Sequence, residues 1–72
     1  MNEKVDKAFR HVRSFFPEVQ YLVVDVSGRW HWFDDEFFAP SFDGIDIDIE
    51  ILQDAIDSLD GFPNIFYWPE DD

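Results

Sequence analysis

Seventy-two residues carry five Lys or Arg against seventeen Asp or Glu, a net charge of −12, with 46% hydrophobic and 19% aromatic side chains. That much apolar surface describes one small acidic domain spanning 1–72 with an aromatic core, not a disordered chain. The lack of Cys excludes a disulfide scaffold and a thiolate metal site, and no apolar run approaches the roughly 20 residues of a membrane span.

The Met1-Asn2-Glu3-Lys4 start has no apolar stretch of the signal-peptide kind behind it, so a soluble cytoplasmic protein is expected. Residues 3–16 predict an amphipathic helix, with Val5, Ala8, Phe9, Val12, Phe15 and Phe16 at helical spacing. Asn2 suits its N-cap, and Pro17 stops it. Residues 19–26 are rich in β-branched side chains and predict a strand. Ser27-Gly28 suits a two-residue hairpin turn, with residues 29–33 returning as the second strand. That turn sets Val24 opposite His31, Val23 opposite Trp32 and Leu22 opposite Phe33. One face then shows Leu22, Val24, Val26, His31 and Phe33, the expected core side. The other shows Tyr21, Val23, Asp25, Trp30, Trp32 and Asp34.

Asp34-Asp35 suits a second turn, and residues 36–42 predict an irregular third strand that Pro40 confines to an edge. A second helix is expected over about residues 47–59, capped by Asp46 or Asp48, with Ile49, Leu52, Ala55, Ile56 and Leu59 as its apolar stripe. Gly61 and Pro63 end it, residues 64–68 form a short final strand, and residues 69–72 are an acidic tail. The expected fold class is α+β: helix, β-hairpin, irregular strand, helix and strand, with the helices on one face of an antiparallel sheet.

Little in the sequence points to catalysis or to a cofactor. Asp43, Asp46, Asp48 and Glu50 cluster, but the spacing fails the calcium-loop pattern, because Ile51 or Asp48 stands where the loop needs Gly. His11 and His31 form no metal-ligand pair. There is no Cys nucleophile, no Gly-rich phosphate loop and no Ser nucleophile motif. A non-enzymatic protein without metal or cofactor is the expectation.

Charge carries most of the functional argument. Residues 1–29 hold all five cations, Lys4, Lys7, Arg10, Arg13 and Arg29, with four acids, and are close to neutral. Residues 30–72 hold the other thirteen acids and no Lys or Arg, a net −13. Such a field opposes direct binding to nucleic acid or to anionic membrane, and it attracts basic protein surfaces. Glu50, Asp54 and Asp57 stand at i, i+4 and i+7, and Asp46 and Asp60 extend the band. Neighbours at those spacings lie about 5–6 Å apart on one helix face, and like charges there cost stability. Such a row can stand in for backbone phosphates. Asp34, Asp35 and Glu36 add carboxylates at the second turn. A solvated helix face is the plain alternative.

The aromatic side of the hairpin offers a second surface. Tyr21, Trp30 and Trp32 have the character of interface anchors, unless residues 36–43 or a second copy of the chain cover them.

The stretch from Phe42-Asp43-Gly44 through Leu52-Gln53-Asp54-Ala55-Ile56, followed by Pro63 and Trp68, resembles the acidic inhibitor helix and next strand of barstar-type ribonuclease inhibitors. The spacing after Gly44 and the leading hairpin both depart from that family, so no residue roles are carried over. In size, charge and aromatic content the chain also resembles phage- and plasmid-encoded nucleic-acid mimics. The expected function is therefore an acidic inhibitor that blocks the basic nucleic-acid-binding site of a nuclease, a restriction or CRISPR effector, a repair enzyme or a DNA-binding protein. The alternative is an adaptor or immunity protein that binds through the aromatic hairpin face.

Overall fold

A computed structural model describes residues 2–41 and 43–69. The acidic tail expected beyond Pro69, and Phe42 of the expected third strand, lie outside the described residues. The elements run α1 (Glu3–Phe15), β1 (Val19–Val24), β2 (Trp30–Asp34), α2 (Ile49–Asp57) and β3 (Asn64–Tyr67). The strands form one antiparallel sheet in the order β2-β1-β3. The fold is α+β, as expected.

Asn2 caps α1, its Oδ1 accepting the Val5 N–H at 2.8 Å. The helix buries Val5, Ala8, Phe9 and Val12, while Phe15 faces outward at the stripe's edge. These side chains meet Phe16, Val19, Leu22, Trp32, Leu52 and Ala55 in one core. The two helices run antiparallel and are tied at both ends. Asn2 Nδ2 donates to Ser58 Oγ at 3.1 Å, and the Asp48 N–H donates to His11 Nε2 at 2.9 Å. Asp48 is the N-cap of α2, its carboxylate accepting the Glu50 N–H at 3.0 Å. Its extended backbone starts the helix at residue 49, later than expected. Leu52 and Ala55 are buried, but Ile49 is 68% exposed and leaves the apolar stripe.

The hairpin register differs from the expected one by one residue. Tyr21 pairs with Phe33, Leu22 with Trp32, Val23 with His31 and Val24 with Trp30. The loop holds three residues, 26–28. Gly28 N–H donates to Asp25 O and Asp25 N–H to Arg29 O, both at 2.9 Å, with Gly28 at φ +81°. The Asp25 carboxylate explains the longer loop, because it accepts the N–H groups of Ser27 at 2.9 Å and Arg29 at 3.0 Å. A one-residue slip moves every β2 side chain to the other face. Trp30 and Trp32 therefore turn inward and His31 and Phe33 turn outward. The exchange buries more aromatic area against the helices. Trp32 is buried, and Trp30 Nε1 donates to Leu52 O at 3.0 Å. Val26, expected on the core side, is a 76% exposed loop residue.

The irregular third strand does not form among the described residues. After β2 the chain turns at Asp34 and runs through residues 39–41 without strand pairing. Phe37, at φ +64°, and Pro40 both interrupt an extended ladder there.

Candidate protein-binding surface

The fold presents two separate surfaces. On α2, Glu50, Gln53, Asp54 and Asp57 are all exposed, and the last turn holds no basic residue. Gln53 Nε2 donates to Asp57 Oδ1 at 3.1 Å, so an amide, not a cation, neighbours the row. Asp46 and Asp60 are exposed on the segments before and after the helix. The expected acidic band is therefore open to solvent along its length.

Among the described residues no Lys or Arg forms an ion pair with that band. Arg10 pairs with Asp6 at 2.8 Å on α1. Arg10 and Arg13 both lie over the Trp68 ring, at 5.3 and 4.4 Å from its centroid, and Arg13 Nη1 donates to Val19 O. Phe9 packs on the same indole at 5.2 Å. Two of the five cations are thus held on the indole of Trp68, where their stems and charge cover it.

The second surface is the sheet face turned away from the helices. Tyr21 and Val23 of β1 stand between Phe33 and His31 of β2 and Tyr67 and Ile65 of β3. Trp30 and Trp32, expected on this face beside Tyr21, are absent from it because of the register. Tyr21 is there as expected, and its ring meets Tyr67 edge-on at 5.3 Å. Phe37 stacks on Tyr21 at 4.5 Å and 11° and approaches Phe33 at 6.4 Å. Of the segment expected to cover this face, Phe37 does so in part. Phe37 and Tyr67 nevertheless remain about 60% exposed (60% and 61%).

Phe37 owes its place to a loop that repeats the hairpin loop. Asp34 N–H donates to Phe38 O at 2.9 Å and Phe37 N–H to Asp34 O at 3.0 Å. The Asp34 carboxylate accepts the N–H groups of Glu36 at 2.9 Å and Phe38 at 3.0 Å. Asp25 and its four successors make the same bonds. The position held by Gly28 in one loop is held by Phe37 in the other, and both have positive φ. Asp34 is thereby a structural residue, while Asp35 and Glu36 are left exposed at the loop tip. A bulky side chain in the left-handed region costs about 1–2 kcal/mol.

Among the described residues, Asp25 is the most perturbed carboxyl. The Ser27 hydroxyl at 2.6 Å, His31 Nε2 at 2.8 Å and the Arg29 N–H hold it well below the usual carboxylate range. His31, expected at the core edge, stands exposed on the outer face in this pair. A hollow of about 280 Å³ opens beside the outer face, lined by Gln20, Tyr21, Asp35, Tyr67 and Trp68. Among the described residues no three His, Asp or Glu come together to hold a metal, and no helix is long and apolar enough to cross a membrane.

The sequence hid Phe33, Phe37, Ile65 and Tyr67 as surface residues. The usable signal was the repeated Asp at the head of two five-residue segments, 25–29 and 34–38. No known protein family, curated protein or solved structure matches the chain, so the barstar-type resemblance stays one of local pattern.

Proposed function

We propose that this chain is a non-enzymatic acidic inhibitor that seats on the basic nucleic-acid-binding surface of another protein and excludes nucleic acid from it. The observation that carries the reading is the α2 row. Glu50, Asp54 and Asp57 are exposed on one helix face with no Lys or Arg among them, within a 43-residue segment of net charge −13. A row kept only for solubility would gain stability from cations at i+4. The cost of like charge is understandable where a cationic partner supplies the missing counter-charge. Targets of this chemistry include nucleases, restriction or CRISPR effectors, repair enzymes and DNA-binding proteins, and such a role suits a phage- or plasmid-borne counter-defence protein.

The test is competition between labelled nucleic acid and increasing amounts of this protein for a fixed amount of a candidate basic partner. Nucleic acid should leave as this protein binds, less readily at high salt. The triple variant Glu50→Lys, Asp54→Lys, Asp57→Lys should fold and fail to displace it. A stable ternary complex, together with full binding by the triple variant, would falsify the reading.

One observation favours a second reading. The outer sheet face exposes Phe37 and Tyr67 beside Tyr21 and Ile65, which suits a protein–protein adaptor or immunity protein gripping through aromatic anchors. Binding by that route would persist at high salt.

A further inference from the structure

The hollow beside the outer sheet face combines two kinds of wall. Tyr21 and Tyr67 are aromatic and meet edge-on at 5.3 Å. Asp35 is an exposed carboxylate, and Gln20 adds an amide. The space, about 280 Å³, is that of several waters at about 30 Å³ each. Aromatic faces attract cations, and a carboxylate beside them completes the recognition of a planar, forked guanidinium.

We propose that this hollow receives an arginine side chain of a partner protein. The inference rests on the basic-partner reading above and gives it a point of contact at the β1–β3 pair, where Tyr21 and Tyr67 of the outer face adjoin Trp68, which packs on α1.

Three observations support the choice of occupant. The surrounding field is that of a −12 protein, so a cation is drawn in and a second copy of this acidic chain is repelled. Trp68, one wall of the hollow, already carries the guanidinium groups of Arg10 and Arg13, so the same chemistry operates within the chain. Those charges oppose a further cation at Trp68 itself and, because Phe37 already stacks on one face of Tyr21, direct the incoming group toward the exposed Tyr67 ring and the Asp35 carboxylate. Finally, Asp35 stands in the loop that the Asp34 carboxylate fixes and that holds Phe37 at φ +64°. Strain retained at an exposed aromatic is a mark of a positioned surface.

The experiment uses the full chain labelled with nitrogen-15 and two short peptides, one containing arginine and one with citrulline, its neutral isostere, in the same place. The arginine peptide should shift the amide resonances of Gln20, Tyr21, Asp35 and Tyr67 saturably, and the citrulline peptide should not. Asp35→Asn and Tyr67→Ala should each weaken that binding about tenfold while leaving the remaining spectrum intact. Both side chains are exposed, and Asp35→Asn preserves shape if Tyr67→Ala disturbs the sheet. Glu3→Gln, exposed on α1, should leave the affinity unchanged. Shifts centred on Glu50, Asp54 and Asp57 would overturn the hollow and leave the inhibitor reading standing. Equal shifts with citrulline, or no change in Asp35→Asn, would overturn the hollow as well. Saturable binding in the hollow, combined with failure to displace nucleic acid from any basic partner, would support this inference and remove the inhibitor reading instead.

Discussion

Phe37 is the residue whose conformation costs the most for what it covers. It holds φ +64°, stays 60% exposed and gains mainly a ring stacked on Tyr21. Such a stack contributes about 0.5–1.5 kcal/mol, comparable with the left-handed penalty. Phe37→Ala loses the stack and keeps the penalty, so it should destabilise by about 1 kcal/mol. Phe37→Gly loses both and should be the more stable of the two by about the same amount. Urea midpoints at unchanged slope decide the order, and an alanine variant equal to the glycine variant would show that the loop is unstrained. Asp25 is the second residue with a legible cost. Its carboxyl is held below its unfolded value, so it contributes stability above the ordinary carboxylate range, about pH 4, and loses it as pH falls through and below that range. Asp25→Asn should lower the melting temperature at neutral pH, and the gap from wild type should narrow progressively as pH falls below about 4. A gap that stays constant with pH would assign the effect to loop geometry alone.

Among the elements, α1 contributes the largest share of the core. Phe9 is fully buried, and packs on Trp68 at 5.2 Å. Phe9→Ala should cost about 3–5 kcal/mol, a large share of a small domain's stability. A melting temperature within a few degrees of wild type would make α1 peripheral. This helix was legible because its apolar spacing, cap and proline stop agree. α2 was legible for the same reason, with its start displaced because Asp46 and Asp48 are equal candidates in sequence and hydrogen bonding selects one. The hairpin was only half legible. Both strands were visible, but the register depended on whether Ser27-Gly28 alone made the turn or Val26 joined it, and sequence spacing does not show the Asp25 carboxylate gathering the loop's N–H groups. That one-residue difference exchanged the candidate anchors Trp30 and Trp32 for His31 and Phe33. The exposed acids of α2 needed only helical spacing and were correctly placed, whereas the sheet-face aromatics needed register and strand order.

For the whole molecule, same-sign charge is the term most open to manipulation. With a net charge of −12, screening should favour the folded form, because compaction brings the carboxylates together. Added sodium chloride should raise the melting temperature by several degrees, given about 4–8 °C per kcal/mol in a domain of this size. A fall on adding salt would mean that pairs such as Arg10–Asp6 outweigh the repulsion. The strand order has a further effect, on self-association. β1 lies in the middle, paired on both sides, so β2 and β3 are the edges. β3 is four residues long with Pro63 before it and Pro69 after the following Trp68, and neither proline has an N–H to donate. A foreign strand arriving there finds a short ladder that cannot be lengthened past the prolines. The β3 edge can thus border an exposed aromatic surface without seeding long cross-chain sheets.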